Sequence, residues 1–230
     1  GAINSAILLR KSKLSKLAGN NLQFHVNLKV FARYPHTVNS EKGTIFTRQV
    51  QEFEKEGVLI MGTNYRAPYL ATTLAHLNNR QIDEYFSTFD KSVIYTPMIR
   101  PFGKAKIYSN YGRGIVIHKL DQTRDLSLLR RALKITVELI FSSGAELAIL
   151  PIEGSYPVKT LAEANNIISQ ATLDNVQQRQ TFSNCERLSG ACACIGMSAL
   201  RRPYLSWYFR KRPTSAWATP TRRQKSFSIF

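Results

Sequence analysis

Along Phe24-His25-Val26-Asn27-Leu28-Lys29-Val30-Phe31-Ala32-Arg33-Tyr34, Phe24, Val26, Leu28, Val30 and Ala32 fall on one side and His25, Asn27, Lys29, Phe31 and Arg33 on the other. A period of two marks an extended chain, because successive side chains point to opposite faces. The pattern predicts a half-buried strand with its even-numbered side toward a core. Short apolar or alternating runs at 58–61, 92–95, 105–108 and 114–118, bounded by glycine, proline or asparagine, fit further strands. Residues 104–110 and 113–120 flank Asn110-Tyr111-Gly112, a turn signal that predicts a hairpin. An antiparallel sheet of several strands follows.

Helical spacing interrupts these runs. Between residues 123 and 141, Leu126, Leu129, Leu133, Val137 and Ile140 recur every three or four positions, and Gly144 supplies a stop signal. A shorter helix is expected over 160–170, presenting Leu161, Ala164, Ile167 and Ile168, and the compositions of 68–77 and 81–89 are also helical. A mostly antiparallel sheet covered by helices is an α+β architecture. From about residue 178 the periodicity stops.

The chain has 230 residues, of which 43% are hydrophobic, enough for a full core. No apolar run approaches the roughly 20 residues of a membrane-spanning helix, and no secretory pattern opens the sequence. A soluble, cytoplasmic protein is expected, with any targeting segment on sequence outside this chain. The formal charge of +17 would ordinarily point to nucleic acid or to an anionic membrane surface. Its distribution argues otherwise, since residues 178–230 carry ten lysines and arginines against the single acid Glu186. All three cysteines and both tryptophans lie there too.

Cys185, Cys192 and Cys194 lack the paired spacing of a structural zinc site, so no metal is expected and the thiols read as reduced. Basic clusters beside Trp207, Tyr208 and Phe209 could contact phosphates and stack on bases. A solvated basic tail is the simpler reading; nucleic-acid binding is the alternative function, and a membrane surface stays open as a partner. No Ser-His-Asp or Cys-His arrangement can be assembled from spacing, and His36, His76 and His118 suit structural or surface roles. A GxGxxG fingerprint is absent, because Gly112-Arg113-Gly114 is too short and lies in the hairpin turn.

Gly1-Ala2-Ile3-Asn4-Ser5-Ala6-Ile7-Leu8-Leu9, followed by Gly19-Asn20-Asn21-Leu22-Gln23-Phe24-His25, resembles the glucose-methanol-choline (GMC) family of FAD-dependent oxidoreductases, with its "GAIxSPxLLxxSG" and "GxNLxxH" segments. Ser5, Leu8, Leu9, Ser12, Asn21, Leu22 and His25 match in order, while Ala6 stands where the family has proline and Lys13 where it has glycine. Residues 121–145 resemble the family's "LSxxDxxxLxxGLxxAxxILxAAGA" helix, particularly in the long-chain alcohol oxidase and choline-dehydrogenase-like branches.

The resemblance covers roughly residues 1–177 and implies a fragment of such an enzyme. Residues 1–23 would end a flavin-binding domain, 24–177 would form the substrate domain, and 178–230 would be a basic tail, disordered or out of frame. It also implies FAD as cofactor, a primary and apolar or long-chain alcohol as substrate, and the missing flavin domain of the same enzyme as partner. Ala2, Asn4, Ser5 and Asn21 become candidate flavin contacts, and His25 a candidate on the substrate side. The family's catalytic histidine and "NPxAT" segments are not recognisable, so the catalytic base is unassigned and the chain alone is expected to be inactive.

Overall fold

The computed structural model describes residues 2–42, 48–63, 65–77, 79–110 and 113–176. The basic segment, with its cysteines, tryptophans and expected frame change, lies outside the described residues. In chain order the elements are helix α1 (Ala2–Lys11), strands β1 (Val26–Asn27), β2 (Val30–Arg33), β3 (Gln49–Val50) and β4 (Val58–Thr63), and helices α2 (Ala67–Thr73) and α3 (Asn79–Ser87). Strands β5 (Ser92–Ile99), β6 (Lys104–Asn110) and β7 (Arg113–Lys119), helix α4 (Arg124–Ser142), strand β8 (Leu147–Ile149) and helix α5 (Leu161–Ser169) follow.

The main sheet runs in the order β3-β4-β5-β2-β8, every neighbouring pair antiparallel. Strand β1 continues the line of β2 along β5 in one register, with Val26 opposite Ile99 and Val30 opposite Tyr95. The two part where Pro97 sits across from Leu28. Leu28 still donates its N–H to the Pro97 carbonyl at 2.9 Å, but proline has no N–H to return. The alternating stretch is therefore one strand, broken by a missing donor on its neighbour.

Burial corrects the expectation of a half-buried strand. Val26, Leu28, Val30 and Ala32 face α4 and α5 in one apolar cluster, through Leu129, Leu133, Val137, Ile140, Ala164 and Ile168. Phe31 points the other way, into a second cluster with Leu70 of α2, Leu74 just after it and Tyr85 of α3. Both faces of the strand are covered because helices lie on both sides of the sheet. At about 1.5–3 kcal/mol for each fully buried large apolar side chain, the two layers hold the sheet from both sides.

A smaller region stands apart. Helix α1, through Ala6 and Ile7, and the segment after it, through Ala18 and Leu22, pack on Ala105 and Ile107 of the β6–β7 hairpin in a third apolar cluster separate from the other two. One tie to the main body is Asp125, fully buried in the first turn of α4. Its carboxylate accepts the backbone N–H groups of Phe102 at 2.7 Å, Gly103 at 2.9 Å and Asp121 at 2.7 Å. Gly103 leaves the space this requires, since a Cβ there would lie 2.2 Å from the Lys119 carbonyl oxygen and 2.8 Å from Asp125 Oδ2. Asp121 accepts from Thr123 and Arg124 N–H, which holds its exposed carboxyl below the usual range. Among the described residues no helix is long and apolar enough to cross a membrane.

Candidate functional site

The side of the sheet opposite α4 carries a polar strip that runs along β1 and β2 at every second residue: His25, Asn27 and Lys29. Exposed His25 stands just before β1 and lines a cleft of about 260 Å³ with Gln49, Leu59, Met98 and Arg100. Two residues on, Asn27 is buried and its Oδ1 finds no hydrogen-bond partner among the described residues. Two residues further, Lys29 is only 3% exposed and its ammonium lies 3.4 Å from the centre of the Tyr69 ring on α2. Across the sheet from Lys29 is Thr96, whose hydroxyl bonds that of Thr63 at 2.6 Å in a buried pair.

The electrostatics of the strip centre on Lys29. Burial lowers its pKa from 10.5 to about 8, because removing an ammonium from water penalises the charged form. The ring face of Tyr69 offers the cation a partial substitute for hydration. Two histidines elsewhere are also held below their usual range, chiefly by burial: His76 after α2, and His118 on β7, where the Asp125 carboxylate opposes the shift. His118 packs edge-on against Phe24, their ring centres 5.5 Å apart.

The sequence candidates do not converge. His25 is the one of the five found among the described residues lining the cleft. Ala2 opens α1, exposed Asn4 and half-buried Ser5 lie on the same helix, and exposed Asn21 follows Gly19 in the loop after it. These four belong to the α1 and hairpin region and do not line this cleft. The alternation flagged Asn27 and Lys29 only as outward-facing polar residues. The burial of Lys29 involves Tyr69 of α2, forty residues along the chain, and no local signal reports it.

Several residues carrying the family resemblance turn out to have backbone and packing roles. Gly19 has a φ of +83° and its missing Cβ would lie 3.0 Å from Ile107 Cβ. Buried Leu22 exchanges both backbone hydrogen bonds with Ala105, at 2.7 and 3.0 Å. Lys13, at the position of the family's glycine, has a φ of +56°. It caps α1, with its own N–H on the Arg10 carbonyl and that of Leu14 on the Leu9 carbonyl, a geometry that favours glycine at Lys13. Of the described residues, no group of three or more histidines, cysteines, aspartates or glutamates is placed to hold a metal ion.

No protein-family model matches the chain. Over 174 residues it is 24% identical to an uncharacterized GMC-type oxidoreductase of Mycobacterium tuberculosis, and equally so to a protein of the same description from a second strain. The match covers 74% of this chain and 27% of each relative's length. The chain is thus similar at low identity to GMC-type oxidoreductases and spans about a quarter of their length.

Proposed function

We propose that the chain is the substrate-side portion of a GMC-type, FAD-dependent oxidoreductase that oxidises a primary, apolar or long-chain alcohol. The observation that carries the reading is the polar strip of His25, Asn27 and Lys29, which ends in a cleft walled in part by Leu59 and Met98, on a chain similar to GMC-type relatives. An apolar wall beside a few polar groups suits a ligand with a hydrocarbon body and a hydroxyl head. On this reading residues 24–177 are the substrate domain, residues 1–23 close the flavin domain, and 178–230 are a basic extension.

The role of the described residues is binding and orientation. His25 can donate to or accept from an alcohol hydroxyl at the mouth of the cleft, and Leu59 and Met98 exclude water from the chain behind it. Asn4, Ser5 and Asn21 do not by themselves form a flavin site, so FAD would be held mainly by the remaining length of the enzyme. The 230-residue protein is accordingly expected to purify colourless and without alcohol-oxidising activity; yellow protein would contradict the proposed division of labour.

Titration of the isotopically labelled chain with octanol and dodecanol tests the site itself. The reading expects backbone shifts confined to His25, Leu59, Met98 and their neighbours, larger for the longer alcohol and lost in His25→Ala for the hydroxyl-dependent part. Shifts spread over the surface, or none, would sink it.

A further inference from the structure

We propose that the free edge of β7 docks an extended, acidic segment of a partner polypeptide, which adds a strand to the β6–β7 hairpin. The hydrogen-bonding pattern shows which edge is open. Ala105 and Ile107 of β6 turn their backbone groups away from β7, toward Leu22 and Gly19. In an antiparallel pair, residues directly opposite share that direction. Val116 and His118, opposite Ile107 and Ala105, therefore present their N–H and C=O groups on the outer side of β7. Among the described residues no other strand pairs there.

Among the described residues the outer strands of the main sheet are paired or short. At one side of the main sheet β8 exchanges two backbone bonds at 2.9 Å with Val158, and at the other β3 is only two residues long. The outer side of β6 is held by Gly19 and Leu22. Strand β7 is seven residues long, rich in β-branched residues and open, the arrangement that most readily accepts another strand.

The exposed face of the hairpin states the partner's chemistry. Tyr108, Ile115 and Ile117 are 45%, 45% and 48% exposed and stand together, Tyr108 opposite Ile115. Around them are Lys104, Lys106 and Lys119, with Lys104 directly opposite Lys119 and no acidic residue on either strand. Like charges face to face across a ladder are destabilising. A second copy would bring further lysines to this edge; a strand alternating acidic and apolar side chains would neutralise the lysines and cover the isoleucines.

The test is fluorescence anisotropy on the full 230-residue chain with a labelled peptide of alternating glutamate and valine, beside a lysine and valine control. Binding of the acidic peptide alone is expected, weakening as salt is raised. Val116→Pro removes an outward donor while leaving the β6 ladder intact, and should weaken binding at least about tenfold. If that variant fails to fold, Ile117→Glu at the exposed position should have the same effect through charge. Equal binding of both peptides, or unchanged affinity in the folded variants, would overturn the proposal. So would a wild-type dimer by light scattering that Val116→Pro or Ile117→Glu dissociates, since it would make a second copy the occupant. None of these readouts depends on flavin or alcohol, so the inference stands or falls apart from the proposed function.

Discussion

The three-layer body and the small region of α1 with the β6–β7 hairpin solve the same problem differently. In the body the central strand is covered on both faces, and Phe31, Leu28, Ile94 and Leu133 have no exposed surface. In the small region one face of a two-stranded ribbon packs on one helix and the other meets solvent. Of the ten large apolar residues that are exposed among the described ones, seven belong to this region and its approaches: Leu8, Leu14, Leu17, Phe102, Tyr108, Ile115 and Ile117. A two-stranded ribbon is marginal in water without something against its apolar side. The body covers both faces of its central strand, whereas among the described residues the ribbon of the small region leaves one face exposed.

The difference can be broken most severely at Asp125, which joins the two. Asp125→Ala would leave the part-buried backbone N–H groups of Phe102, Gly103 and Asp121 without their carboxylate acceptor, at a cost of about 3 kcal/mol. The expected result is a loss of amide-exchange protection at Ala105, Ile107 and Ile117 while α4 stays protected. Uniform loss throughout the chain would mean the regions form one cooperative unit.

A smaller effect should come from the body alone. Lys29 releases its proton at about 8 in the folded chain but near 10.5 when unfolded. Between those values the folded state binds fewer protons, so stability rises with pH; below about 8 the buried charge is a standing penalty. Denaturant unfolding of the wild type should gain on the order of 2 kcal/mol between pH 7 and pH 10. Lys29→Met should be more stable at pH 7 and lose the rise, drifting down toward pH 10 because burial holds Tyr65 and Tyr95 above the usual tyrosine range. A rising curve in the variant would assign the effect elsewhere.

The smallest effect belongs to the small region. Lys13 caps α1 at a φ of +56°, where a side chain is strained. Lys13→Gly should stabilise α1 by about 1 kcal/mol, read as slower exchange of the Arg10 and Lys11 amides, while Lys11→Gly inside the helix should do the reverse. Faster exchange in Lys13→Gly would remove the strain argument.

Element types were readable where the pattern is local. The expected helix over 123–141 is Arg124–Ser142, and that over 160–170 is Leu161–Ser169, with the Thr160 hydroxyl accepting the Glu163 N–H as its cap. The hairpin strands fall where its turn signal puts them. The expected helix over 68–77 is the shorter Ala67–Thr73. The strand expected over 92–95 runs on to Ile99, because β4 pairs along its whole length and outweighs Pro97. Of the candidate site, only His25 reached the cleft, because resemblance places residues along the chain while a cavity needs segments brought together from afar.

Periodicity, turn residues and helix stops are properties of neighbours along the chain, so the sequence by itself determined the strand through Val26 to Arg33, the hairpin and the long helix. That the second side of the strand would be buried as well was decided only when α2 closed over Lys29 and Phe31. The edge of β7 was likewise left open by tertiary packing, once Gly19 and Leu22 had taken the outer side of β6. Burial and free edges depend on what packs against a residue, and a local pattern carries no record of that.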